Sequence, residues 1–96
     1  MRVSVRFFTS LRELTGKREE TLEFSDSERV TVNLVLRALA ERYGKGFVDY
    51  VYDRKGEVKG FLQFLVNGRS VSNFKGLDTE LADGDVLAII PPVGGG

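Results

Sequence analysis

Thr31-Val32-Asn33-Leu34-Val35-Leu36-Arg37-Ala38-Leu39-Ala40-Glu41-Arg42-Tyr43-Gly44 is the stretch that decides the fold. Val32, Val35, Leu36, Leu39 and Tyr43 recur at helical spacing and fall on one stripe, while Asn33, Arg37, Glu41 and Arg42 lie outside it. Thr31 is placed to cap the first turn with its hydroxyl, and Gly44 to stop the last. A helix with a single apolar face needs a second apolar layer to cover it. The upstream sequence offers one. Arg2 to Phe8 alternates, with Val3, Val5 and Phe7 on one side and Arg2, Ser4, Arg6 and Phe8 on the other, the period of a half-buried strand. Ser10-Leu11-Arg12-Glu13-Leu14-Thr15-Gly16 reads as a short helical turn closed by glycine. Glu19 to Phe24 then returns as a second strand, with Leu22 and Phe24 facing away from Thr21 and Glu23, so an antiparallel hairpin with a wide loop is expected.

Downstream, Phe47 to Tyr52 predicts another short helical turn, ended by the polar turn Asp53-Arg54-Lys55-Gly56. Phe61 to Val66 is a strand, Asn67-Gly68 a two-residue hairpin signal, and Arg69-Ser70-Val71 the returning strand. Asn73 to Leu81 reads as irregular or one short turn, after which Asp83-Gly84-Asp85 turns the chain into a last strand, Val86 to Ile90. The order β-β-α-β-β-β predicts an α+β domain over residues 1–90, a mixed sheet of about five strands on one main helix, followed by a projecting tail over residues 91–96.

Composition narrows the chemistry. Ninety-six residues make one domain with a modest core, and a 42% hydrophobic fraction is ordinary for a globular chain. Fourteen basic residues balance fourteen acidic ones, which argues against nucleic acid as a partner. There is no cysteine and no histidine, so disulfides, the usual zinc sites, thiol nucleophiles and imidazole bases are excluded together. Ser70 and Ser72 have no histidine to activate them. Asp83-Gly84-Asp85 lacks the further ligands of a calcium loop and reads as a solvent-facing turn; no metal site is expected. Apolar runs are too short for a membrane span, and Met1 to Arg6 begins as a strand rather than a signal peptide, so a cytoplasmic protein is expected.

The sequence closes on Pro91-Pro92-Val93-Gly94-Gly95-Gly96. Two prolines lack N–H donors and stop strand pairing, and glycines without Cβ atoms can thread a channel too narrow for other residues. At about 3.3 Å per extended residue the segment reaches on the order of 20 Å. Next to it lies a candidate surface. By strand parity Leu87 and Ile89 point inward, leaving Val86, Ala88 and Ile90 on the outer face, and Phe8 lies opposite the core on the first strand. If these two strands are neighbours, Phe8, Ala88 and Ile90 form an exposed apolar patch at the base of the tail, which marks a partner site. Val86, Pro91, Pro92 and Val93 extend that candidate interface. The competing expectation is that Phe47 to Gly60 folds back and buries the face.

Nearly the whole chain is similar to the MoaD-type sulfur carriers, small subunits of molybdopterin synthase in the ubiquitin-like β-grasp superfamily. The resemblance rests on Val5-Arg6-Phe7-Phe8, Leu11-Arg12-Glu13-Leu14-Thr15-Gly16, the helix from Thr31 to Gly44, Val66-Asn67-Gly68, Leu77-Asp78-Thr79-Glu80-Leu81-Ala82-Asp83-Gly84-Asp85, and above all Ile89-Ile90-Pro91-Pro92-Val93-Gly94-Gly95-Gly96. Gly94 stands where the family varies, and the Phe47–Gly60 insert is longer than in the shortest carriers of the thiamin pathway. The resemblance implies a flexible glycine tail, Gly94 and Gly95, whose Gly96 carboxylate is adenylated by an E1-like adenylyltransferase of the MoeB or ThiF type using ATP and Mg²⁺. The resulting thiocarboxylate would enter a MoaE-type large subunit and give sulfur to a pterin precursor. It further implies that the carrier holds no stable cofactor and that catalysis belongs to its partners. A ubiquitin-like modifier, joined through Gly96 to lysines of target proteins, needs the same fold and tail and stays open, as does a chain that does both.

Overall fold

The chain runs through β1 (Arg2–Phe7), α1 (Ser10–Thr15), β2 (Glu19–Glu23), α2 (Val32–Tyr43), α3 (Lys45–Val51), β3 (Gln63–Val66), β4 (Arg69–Ser70) and β5 (Val86–Ile90) in the computed structural model, which describes residues 1–92. The five strands form one mixed sheet in the order β2-β1-β5-β3-β4. β1 runs antiparallel to β2 and parallel to β5, and β5 runs antiparallel to β3. Parity works as the sequence predicts. Val3, Val5, Phe7, Leu22, Phe64, Leu87 and Ile89 point to one face and are buried against Val32, Val35, Leu36 and Leu39 of α2. The Thr31 hydroxyl accepts a hydrogen bond from the Leu34 N–H at 3.2 Å, supplying the expected cap.

Element ends differ from the sequence expectation where local hydrogen bonding competes with the ladder. β1 stops at Phe7 because the Phe8 and Thr9 carbonyls accept the N–H groups of Leu11 and Arg12, which starts α1. β3 begins at Gln63, not Phe61, since a turn from Lys59 to Leu62 holds the preceding residues. β4 ends at Ser70, whose hydroxyl accepts from Ser72 N–H at 3.3 Å and opens a 3₁₀ turn over Val71–Asn73. A second 3₁₀ turn, Gly76–Asp78, occupies part of the stretch expected to be irregular. Asn67 and Gly68 both take positive φ, 50° and 84°, the backbone that a two-residue hairpin with the right twist demands. The Asn67 side chain also accepts from Val86 N–H and donates to Asp85, each at 2.9 Å, tying this hairpin to the start of β5.

α3 packs on the core side of the sheet, where Phe47 and Val51 are buried and Tyr43 bridges Phe7 and Phe47 at ring separations of 5.9 and 6.1 Å. The Phe47–Gly60 segment therefore does not cover the other face. Among the described residues no helix is long and apolar enough to cross a membrane.

One buried carboxylate joins the layers. Glu20 of β2 accepts from the Tyr43 hydroxyl at 2.6 Å, from Lys17 Nζ at 3.0 Å and from Arg42 at 2.9 Å. The Tyr43 hydroxyl, aided by the two cations, holds the Glu20 carboxyl below its ordinary value near 4.5, against the opposing effect of burial; burial and Glu20 together push Tyr43 up to about 12. The folded state thus binds the Glu20 proton more weakly than the unfolded chain. Its stabilisation is complete above the ordinary value and is lost as pH falls through the lowered one. Glu20→Gln is expected to cost about 1–3 kcal/mol at neutral pH and to lose less further stability in acid than the parent does. Urea melts of both proteins across the acid range check this, and parallel curves would contradict it.

Candidate functional site

The sheet face turned away from the helices is built by the alternate residues of each strand. On it, Arg6 of β1 and Leu65 of β3 flank Ala88 of β5, Ser4 lies beside Val86, and Gln63 lies beside Ile90. Phe8 follows Phe7, the partner of Ile89, and so reaches the level of Ile90. Phe8, Leu65, Val86, Ala88 and Ile90 are half-buried, and all five stand outside the core cluster. The face is apolar along β5 and charged at its β2 edge, where Arg2 pairs with Glu23 at 2.6 Å. Apolar area left half-open on a sheet face is the usual mark of a protein-binding surface.

The predicted site residues fall into three groups. Phe8, Val86, Ala88 and Ile90 come together as expected, because β1 and β5 are neighbours. Pro91 is buried and Pro92, the last residue described, is exposed. Val93, Gly94, Gly95 and Gly96 lie outside the described residues.

Leu65 belongs to the patch and was not picked out from sequence. Its stretch, Phe61 to Val66, is apolar at nearly every position, so alternation assigns no face. The signal was available only through pairing: once β3 lies beside β5, Leu65 shares a face with Ala88. Arg2 and Arg69 sit at the other end of the sheet from the tail. Arg2 begins β1, parallel to β5, and Arg69 faces Val66 at the end of β3.

The acidic turn is structural in its bonding. Asp83 accepts from Arg2 N–H at 2.7 Å, and Asp85 accepts from Ala82 N–H at 2.8 Å as well as from Asn67. Both carboxylates spend their lone pairs on holding the entrance to β5. Among the described residues there is no group of three or more carboxylates that could hold a metal ion.

Comparison with known proteins agrees with this geometry. The ThiS family matches residues 5–96. Small archaeal modifier protein 3 of Haloferax volcanii is 38% identical over 96 residues, covering 100% of both chains. Sulfur carrier protein CysO of Mycobacterium tuberculosis is 33% identical over 98 residues, again with 100% of each chain covered. A solved structure from Pyrococcus furiosus, provisionally named molybdopterin converting factor subunit 1, superposes with a TM-score of 0.72 at 32% identity over 97% of this chain and 99% of that one. The two full-length sequence relatives are named a modifier and a sulfur carrier, and the sheet is the ubiquitin-like β-grasp.

Proposed function

This chain belongs to the ThiS family of ubiquitin-like sulfur carriers and modifiers, and on that premise we propose that it is the sulfur-carrying small subunit of a molybdopterin synthase, with Gly96 as the carrier residue. The observation that carries this reading is the apolar patch of Phe8, Leu65, Val86, Ala88 and Ile90 at the root of the glycine segment. Such a patch holds the carrier on a partner while the narrow tail enters that partner's active site.

The chemistry follows from the residues available. A carboxylate is a poor electrophile. Attack of the Gly96 carboxylate oxygen on the α-phosphate of ATP, on an E1-like adenylyltransferase of the MoeB or ThiF type, releases pyrophosphate and leaves an acyl-adenylate. A sulfide-level sulfur nucleophile then adds to the acyl carbon and expels AMP, which leaves the thiocarboxylate. In a MoaE-type large subunit that sulfur forms a carbon–sulfur bond to the pterin precursor as an oxygen leaving group departs, and water then cleaves the acyl–sulfur bond, which returns the Gly96 carboxylate and leaves the sulfur on the pterin. With neither cysteine nor histidine in the chain, Mg²⁺, ATP and acid–base groups are supplied by the partners, and this chain contributes the electrophilic end and the docking face.

A modifier reading is favoured by the full-length match to the Haloferax volcanii modifier protein. In it a lysine amine of a target protein, not sulfur, captures the same activated carbon. Intact-mass spectra of the protein from its native cell separate the two. The carrier reading expects one oxygen replaced by sulfur at the Gly96 carboxylate, and conversion of the pterin precursor when the large subunit is added. Gly96 found linked to lysines of many proteins, with no sulfur-bearing form, would replace it with the modifier reading.

A further inference from the structure

We infer that Thr9 is a contact residue of the docking surface: its hydroxyl hydrogen-bonds the partner seated on Phe8, and the domain is less stable for presenting it. This rests on the docking reading above and adds a specificity-determining residue to it. Thr9 has φ 48° and ψ −119°, and the Leu11 N–H donates to the Phe8 carbonyl at 3.1 Å across it. Those angles and that bond make a type II′ turn over Phe8–Leu11, with Thr9 at its first central position. Glycine dominates that position, because a Cβ crowds the backbone there and a branched one crowds it most. Asn67 is the only other non-glycine residue with positive φ among those described, and asparagine tolerates a region that β-branched residues avoid.

Nothing among the described residues calls for a threonine in this turn. Thr9 is exposed, its side chain does not cap α1, and it forms no hydrogen bond with any described residue. The other threonines are accounted for. The Thr15 and Thr79 hydroxyls donate to the Leu11 and Gly76 carbonyls, Thr31 caps α2, and Thr21 lies in β2, where a branched Cβ is favoured. Ser10, the next residue, shares a hydrogen bond with Tyr50 at 2.7 Å. Thr9 follows Phe8 directly, so its Cα lies about 3.8 Å from that of a patch residue. It stands just past Phe7 and Ile89, the last pair of the β1–β5 ladder, at the end of the sheet where β5 leads into Pro91. Interfaces with an apolar centre carry a polar rim. At that rim a neutral hydroxyl, which both donates and accepts, fits a main-chain or amide group of the partner.

The test measures the melting temperature of the whole chain and its affinity for the MoeB- or ThiF-type activating enzyme from the same organism. Thr9→Gly relieves the turn and is expected to melt roughly 4 °C higher, yet to bind about fivefold more weakly. Thr9→Val keeps the branched shape without the hydroxyl; it should melt as the parent does and bind as weakly as Thr9→Gly. Thr9→Ser keeps the hydroxyl and should bind within about twofold of the parent. A residue serving the fold alone would move stability and affinity together, whereas a contact residue in a strained turn moves them apart. A Thr9→Gly protein that melts no higher than the parent overturns the strain and the inference with it. Parent-like binding by Thr9→Gly and Thr9→Val, with binding lost in Ile90→Asp, overturns the Thr9 contact and leaves the docking surface standing. Binding by Thr9→Ser as weak as that of Thr9→Val overturns the hydroxyl as the contacting group. A parent chain that does not bind the enzyme at all would overturn the contact and the docking reading together.

Discussion

Deletion of Gly96, or addition of a single residue after it, is expected to abolish adenylation by the activating enzyme while leaving the melting temperature unchanged. The chemical reason is that the nucleophile toward ATP is one particular carboxylate, which must sit at the α-phosphate while the rest of the domain is held by its sheet face. Shortening the tail withdraws it by about 3.3 Å, and misplacement on the order of 1 Å can already cost about 10²-fold in rate. Adding a residue puts a side chain, or a displaced carboxylate, into a channel that the reading matches to glycine. The reason for an unchanged melt is that the core is closed by residues from Val3 to Ile89, and Pro91 is the last buried residue among those described. ATP–pyrophosphate exchange, run beside a thermal melt, reads both halves. Full exchange by the shortened chain would remove Gly96 from its role, whereas loss of exchange together with loss of folding would show that the tail belongs to the fold.

The layers of this domain were legible in the sequence because each is periodic. A stripe from Val32 to Tyr43 at helical spacing and the alternation of Val3, Val5 and Phe7 leave one arrangement in which both apolar faces are covered. The parity of Leu87 against Ile90 was legible for the same reason, and it made the patch predictable once β1 and β5 were assumed adjacent. That adjacency was not itself readable. A parallel pairing between the first and last strands is a long-range contact with no local signal, and it is what brings Phe8 level with Ile90. Leu65 was hidden by a strand apolar on both faces. The contacts of Phe61 were hidden too: it meets Tyr50 edge-on at 6.0 Å and Lys59 lies over its ring, and no spacing rule links the three. Short hydroxyl-driven turns such as Val71–Asn73 depend on single hydrogen bonds, which compete with a two-residue strand on nearly equal terms.

Ile89 and Ile90 turn that parity into a sharp experiment, since adjacent residues of the same type face opposite sides of one strand. Ile89 is fully buried between Phe7 and Phe64 in the sheet register, beneath the helices. Ile89→Ala is expected to cost about 2–5 kcal/mol of stability through the lost transfer energy and the cavity left behind. That is a large share of the roughly 5–15 kcal/mol that holds a small domain together. Ile90 is half-buried on the open face beside Gln63. Ile90→Asp should leave the melt within about 1 kcal/mol of the parent, because a carboxylate there remains in water. On docking, however, that carboxylate is desolvated against an apolar surface, at several kcal/mol unless it finds a cation, which corresponds to roughly 10²-fold or more in affinity. Urea melts and binding to the activating enzyme and the large subunit should therefore cross over: one variant unstable yet binding in its folded fraction, the other stable and non-binding. An Ile90→Asp protein that unfolds would mean the open face is covered within the chain. One that stays folded and binds normally would move the docking surface elsewhere, and the tail would then have to reach its enzyme from a different face of the sheet.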